Sequence, residues 1–181
     1  MKIRNTLALV AVAALSACAI QGPMMATFSQ TALPDGVKVP AGHVVAMETV
    51  AAGEILYQCR AKKDMAGQFE WVFVGPDAGL KDRSGKGVGR YYGPPATWES
   101  MDGSKVTGAQ VAVAPAGAGS IPLQLVKANP ATGMGTMQGV SYIQRVNTQG
   151  GVAPALMCGA ATLDQKQTVT YTADYIFWRA V

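Results

Sequence analysis

At 181 residues, with 49% apolar and only 14% charged side chains, the chain can build one domain with a real core and lacks the charge excess of a disordered one. Its formal charge of +4 is partly a terminal effect, because losing Lys2 and Arg4 with a cleaved leader lowers it to about +2. No dense lysine–arginine cluster remains, so no nucleic-acid partner is expected.

The first element reads as an export leader. Lys2 and Arg4 precede an apolar run from Thr6 to Ala14, too short to cross a bilayer core of about 30 Å. Leu15-Ser16-Ala17-Cys18 follows and resembles a bacterial lipobox, in which the cysteine sulfur takes diacylglycerol and becomes the new N-terminus. Each buried CH₂ contributes about 0.8 kcal/mol, so several acyl chains on one cysteine hold where a single chain is marginal. The expected organisation is a leader over 1–17, a lipidated tether over 18–32 and one domain over 33–181. The expected partner is the membrane, reached through Cys18. Ala19 stands where an aspartate would resemble an inner-membrane retention signal. That analogy points to the outer membrane facing the periplasm, with the cell surface as the alternative.

Leu33-Pro34-Asp35-Gly36 reads as the turn that starts the fold. His43–Val50 and Ile55–Arg60 read as a hairpin joined by Ala51-Ala52-Gly53-Glu54, and Gln68–Val74 as a strand ended by Gly75-Pro76. Lys81, Arg83, Lys86 and Arg90, spaced by glycines, read as a solvated loop. Within it Gly85-Lys86-Gly87-Val88-Gly89 imitates a phosphate loop, but no Ser or Thr follows the lysine and Arg90 replaces the last glycine of a G-x-G-x-x-G. Thr97–Met101, Lys105–Ala114, Ile121–Ala128 and Met137–Val146 read as strands, with Asp102-Gly103 a turn. In Gln167–Arg179, Val169, Tyr171, Ala173, Tyr175 and Phe177 alternate with Thr168, Thr170, Thr172 and Asp174. Ile176 and Trp178 break the alternation, so the end of this strand is expected to be covered on both faces.

No stretch holds a helical apolar period. Eight or so short strands with Gly-rich turns predict an all-β antiparallel domain, either a β-sandwich or a small closed β-barrel. With Cys18 given to lipid, Cys59 and Cys158 form an even pair in an oxidising compartment and are expected to be disulfide-bonded. Such a bond ties an early strand to a late one, which favours the sandwich. A metal site would have to draw on the lone His43 and on loosely spaced methionines such as Met134, Met137 and Met157, so no metal is expected. No βαβ unit supports a nucleotide cofactor, and none is expected. His43 reads as a strand-starting residue, without a serine elbow to serve.

Two longer motifs carry a resemblance. Gly93-Pro94-Pro95-Ala96-Thr97-Trp98-Glu99 with Asp102-Gly103-Ser104-Lys105-Val106 resembles a "GPTW…DGSxV" signature. Ile143-Gln144-Arg145-Val146-Asn147-Thr148, Gly150-Gly151, Ala153-Pro154 and Cys158 resemble "IQRVNTxGGxAP…C". With Tyr57-Gln58-Cys59 upstream and Tyr171, Ala173 and Tyr175 downstream, the chain over about 33–180 resembles the domain of unknown function 3455 family, exported or surface proteins of bacteria and fungi. The resemblance implies a shared fold and brings no established activity. Family members often carry a histidine near the position of Tyr91; this chain has Tyr91-Tyr92 and an extra proline, so no role for that histidine is carried over.

Two groups of residues are candidates for a ligand site. Tyr91, Tyr92, Trp98 and Glu99 place aromatic rings and a carboxylate on one Gly/Pro-rich segment, suited to stacking on a sugar or clasping an apolar group. Arg145 and Asn147 sit at the unusual Asn147–Gly151 stretch and supply polar groups. The structural alternatives are a core role for Trp98, loop capping by the tyrosines, a shaped turn at 147–151 and a carboxylate partner for Arg145. The function expected is that of a lipid-anchored binding or structural module, not an enzyme. The alternatives are a polysaccharide hydrolase using Glu99 and a second carboxylate about 5–10 Å away and, ranked below it, periplasmic metal binding.

Overall fold

Alternating apolar and polar residues build eight antiparallel strands in a computed structural model that describes residues 28–181. They are β1 (His43–Ala61), β2 (Phe69–Lys81), β3 (Gly87–Tyr92), β4 (Thr97–Ser100), β5 (Lys105–Ala114), β6 (Leu123–Ala128), β7 (Val140–Gly150) and β8 (Lys166–Ala180). Each strand pairs with the next, and β1 also pairs with β8, so the sheet closes on itself. The all-β antiparallel architecture expected from the sequence is present, and of its two forms the closed barrel describes this single ring of strands. Cys59 and Cys158 are disulfide-bonded, with their Cα atoms 5.5 Å apart. The lipobox and Cys18 lie outside the described residues.

The strands differ from the sequence expectation where glycine and proline were read as punctuation. Residues 51–54 are not a turn; β1 runs through them as one strand paired on both sides. Gly53 is there because the strands approach closely: a Cβ would stand 2.1 Å from the Asp77 carbonyl oxygen. Gly75-Pro76 does not end β2. Its pairing with β1 shifts register between Leu56 and Tyr57, leaving an extra residue on β2, and a bulge of this kind tolerates a proline. A Cβ on Gly75 would lie 2.2 Å from the Gly93 carbonyl. The stretch 87–92, read as loop, is strand β3. In the connection before it, Arg83 bonds Glu48 and Asp174, so it fastens the β2–β3 hairpin to the barrel wall rather than standing in solvent.

Two apolar clusters hold the fold. The first fills the barrel with residues that include Leu80, Trp98, Ile143, Tyr175 and Phe177, each fully buried. The second lies outside the wall, where Val37 and Val39 cover Leu125, Val146, Ile176 and Trp178, with Phe28 and Leu33 packed against them. This is why β8 breaks its alternation: Tyr175 and Phe177 face inward, while Ile176 and Trp178 face the N-terminal segment. Burying one such aliphatic side chain contributes about 1.5–3 kcal/mol. Gln144 docks the same segment. Its Nε2 donates to the Val37 carbonyl at 2.6 Å and to Gln30 Oε1, and its Oε1 accepts from Trp178 Nε1. The packed chain therefore includes Phe28 and Gln30, ahead of the boundary at 33 that the sequence suggests.

Candidate functional site at the barrel mouth

Successive side chains on a strand point to opposite faces, and this divides the predicted site residues. Tyr91 and Trp98 are paired partners on β3 and β4 and both point into the barrel. Their rings stack at 4.6 Å, and both pack against Tyr175. Trp98 is thus a core anchor, as its structural alternative held. It also lines a cavity.

That cavity, of about 340 Å³, opens at the end of the barrel where β3 turns into β4. Tyr91, Trp98 and Val126 line it from within the barrel, and Phe73, Pro94 and Ala96 are also in its lining. Gln110, Gln124 and Arg145 complete it from β5, β6 and β7. The alternation of these three strands puts Gln110 on the face of Val106, Gln124 on that of Val126 and Arg145 on that of Ile143, all of them barrel-filling residues. Gln124 Nε2 donates to Gln110 Oε1 at 2.7 Å. Arg145 Nε and Nη2 donate to the Pro122 carbonyl at 3.1 and 3.0 Å. None of the ion pairs among the described residues includes Arg145, so the carboxylate partner of the alternative reading is not found there. Trp98 Nε1 is buried and has no hydrogen-bond partner among the described residues.

Behind the cavity stands a cluster of tyrosines. Tyr175 is fully buried, and its hydroxyl lies 3.5 Å from that of Tyr171. The Tyr57 hydroxyl donates to the Gly151 carbonyl at 2.8 Å. Burial pushes Tyr57, Tyr91, Tyr171 and Tyr175 above the usual phenol range, and the positive charge of Arg145 offsets part of that rise in each. Arg145 therefore contributes its field to the whole polar interior of this end of the barrel.

The other predicted residues lie elsewhere. Tyr92 and Glu99 point to the outside of the barrel. The Tyr92 hydroxyl donates to Glu99 Oε2 at 2.7 Å, and this contact holds the phenol above its ordinary range. Lys105 Nζ lies 3.9 Å from Glu99 Oε1. Tyr92 borders an outer groove of about 380 Å³ with Glu54 and Asp77, and Asp77 there is paired with Arg90. The groove and the inner cavity share Pro76, Gly93 and Pro94. Asn147 is exposed with φ at 54°, and its Nδ2 donates to Asp174 Oδ2. It serves the bulged end of β7, where Gly150 and Gly151 also take the positive φ their sequence allows. The structure thus brings Tyr91, Trp98 and Arg145 to one cavity and leaves Tyr92, Glu99 and Asn147 outside it. Among the described residues no group of three or more His, Cys, Asp and Glu is placed to hold a metal ion. His43 opens β1 with its ring 5.0 Å from Tyr142, edge to face.

Sequence reasoning missed Gln110, Gln124 and Phe73. The signal for the two glutamines was present in the alternation of β5 and β6, which sets each on the same face as a core valine.

The fold and site together define a closed eight-stranded barrel with a ligand-sized cavity in its mouth, a size at which such barrels hold one small molecule. A family model described as "Protein of unknown function (DUF3455)" matches residues 40–179, and the chain belongs to that family. No curated protein and no solved structure matches the chain.

Proposed function

We propose that this chain is a lipid-anchored cell-envelope protein, held through Cys18 at the outer membrane facing the periplasm, whose barrel is a small-molecule binding module. The observation that carries the binding reading is the convergence of Tyr91, Trp98 and Arg145 on one cavity of about 340 Å³. Apolar walls with a few placed polar groups are the common form of a small-ligand site. The anchoring reading is supported by the lipobox, and export is supported by the Cys59–Cys158 disulfide, since such bonds persist in oxidising compartments.

Hydrolysis through Glu99 draws less support. Its carboxylate is on the outer face, engaged by Tyr92 and close to Lys105, and the cavity lining holds no carboxylate.

Two experiments test these readings. The protein extracted from host membranes is expected to begin at Cys18 and carry the added mass of acyl chains, and Cys18→Ser is expected to abolish that mass. An unmodified N-terminus elsewhere refutes the anchoring. For the binding module, the mature chain in detergent is screened for thermal stabilisation by a panel of small acids, amides, alcohols and sugars. A stabilising compound is expected, and its effect should disappear in Ala96→Phe, which fills the cavity rim. Stabilisation that survives this substitution places the site elsewhere.

A further inference from the structure

Resting on the binding reading above, we propose that the barrel mouth takes a small monocarboxylic acid with a flat apolar body, its carboxylate held by Arg145 and its body against Tyr91 and Trp98. Arg145 is the single charged side chain in the cavity lining. A guanidinium carries five N–H donors in a planar fork, and the described contacts of Arg145 engage only its Nε and Nη2, both on the Pro122 carbonyl. Donors are therefore left for a carboxylate, the shape this fork matches best. A neutral ligand that displaced water from the cavity would leave the cation desolvated and uncompensated, which is costly. A cationic ligand would be repelled. One arginine with no second cation in the lining matches a single negative charge, so a carboxylate fits better than a phosphate dianion.

The body of the ligand follows from the walls. Tyr91 and Trp98, stacked on one another, join Phe73 in the lining and give the cavity an aromatic, apolar wall against which an apolar ring packs. The volume equals about eleven waters at roughly 30 Å³ each, enough for one ring with a short chain and too small for an oligosaccharide. Phe73, an apolar side chain 51% exposed, stands in the lining, where a ligand would cover it. The linked amides of Gln110 and Gln124 are the remaining polar groups available to orient the guest.

The test uses 3-phenylpropionate and its neutral counterpart 3-phenylpropanamide, titrated calorimetrically into the mature full-length chain in detergent. The acid is expected to bind at least tenfold more tightly than the amide. Arg145→Gln should erase that preference and leave amide binding within about threefold, while Arg145→Lys keeps part of it. Unchanged melting temperatures confirm that these variants fold. Equal binding of acid and amide, or an acid preference that survives Arg145→Gln, overturns the ligand class and leaves the binding module standing. Failure of Ala96→Phe to weaken either probe overturns the pocket itself. No saturable binding of either probe also overturns the ligand class, and the broader panel then decides the binding module.

Discussion

Replacing both Cys59 and Cys158 by alanine opens the one covalent link within the barrel. The two cysteines are 99 residues apart in sequence. In the chain-entropy model a loop of that length removes about 16 cal/mol/K from the unfolded ensemble, or about 4.7 kcal/mol at 25 °C. The folded state changes little in comparison. Cys59 is already held to the 164–165 segment by two backbone hydrogen bonds, Cys59 N to the Gln165 carbonyl and Asp164 N to the Cys59 carbonyl, both 2.9 Å. Most of the effect should therefore act through the unfolded chain. Urea unfolding of the double-alanine variant is expected to show a loss of about 3–5 kcal/mol, which for a domain of this size lowers the melting temperature by roughly 10–18 °C. The unfolding slope should rise, because the uncrosslinked chain exposes more surface. A loss below about 1 kcal/mol with an unchanged slope would refute the entropic account.

Other perturbations follow from the packing. Gly53→Ala forces a Cβ into the β2 backbone, and overpacking of this kind costs about 1–3 kcal/mol; Gly36→Ala, which meets nothing within 4 Å, is the control and should melt within about 2 °C of the parent. Asp102 accepts bonds from the hydroxyls and backbone N–H groups of Ser104 and Thr136, Ser104 first, which hold its carboxyl far below its ordinary 3.8. A depressed carboxylate stabilises the fold above the unfolded pKa, and that contribution is lost as pH falls through the folded value. Asp102→Ala should therefore be less stable than the parent at pH 7, with the gap narrowing progressively as pH falls below about 4, as read by thermal melts across pH; a gap of constant size from pH 7 down to about pH 2 would contradict this. Tyr91, Tyr171 and Tyr175 are raised above 10 chiefly by burial. Above that pH the unfolded chain ionises more readily than the folded one, so stability falls as pH rises. Their share of the phenolate absorbance, three of six tyrosines, should appear only with cooperative alkaline unfolding.

The legible parts of the chain were those where local pattern and tertiary packing agree. β5 runs from Lys105 to Ala114 as its sequence suggests, the two faces of β8 followed from its alternation, and the double coverage at Ile176 and Trp178 followed from the break in it. The disulfide followed from cysteine parity. What misled was the double use of glycine. Gly53, Gly75 and Gly89 carry no side chain because neighbouring backbone stands within 2.2 Å of where a Cβ would be, a condition set by a partner strand and invisible locally. Those close approaches turned a supposed hairpin, a supposed strand end and a supposed loop into β1, β2 and β3. The candidate site was legible as residue types but not as geometry. Tyr91 and Tyr92 are adjacent in sequence and face opposite sides of the sheet, as do Trp98 and Glu99, so only one of each pair reaches the cavity.

The most direct measurement is a crystal structure of the mature chain soaked with 3-phenylpropionate. The ring should lie against Tyr91 and Trp98 inside the barrel mouth, with a carboxylate oxygen about 2.7–2.9 Å from the Arg145 guanidinium. A probe found instead in the outer groove beside Tyr92 and Glu54, or bound with its carboxylate turned away from Arg145, would contradict the account.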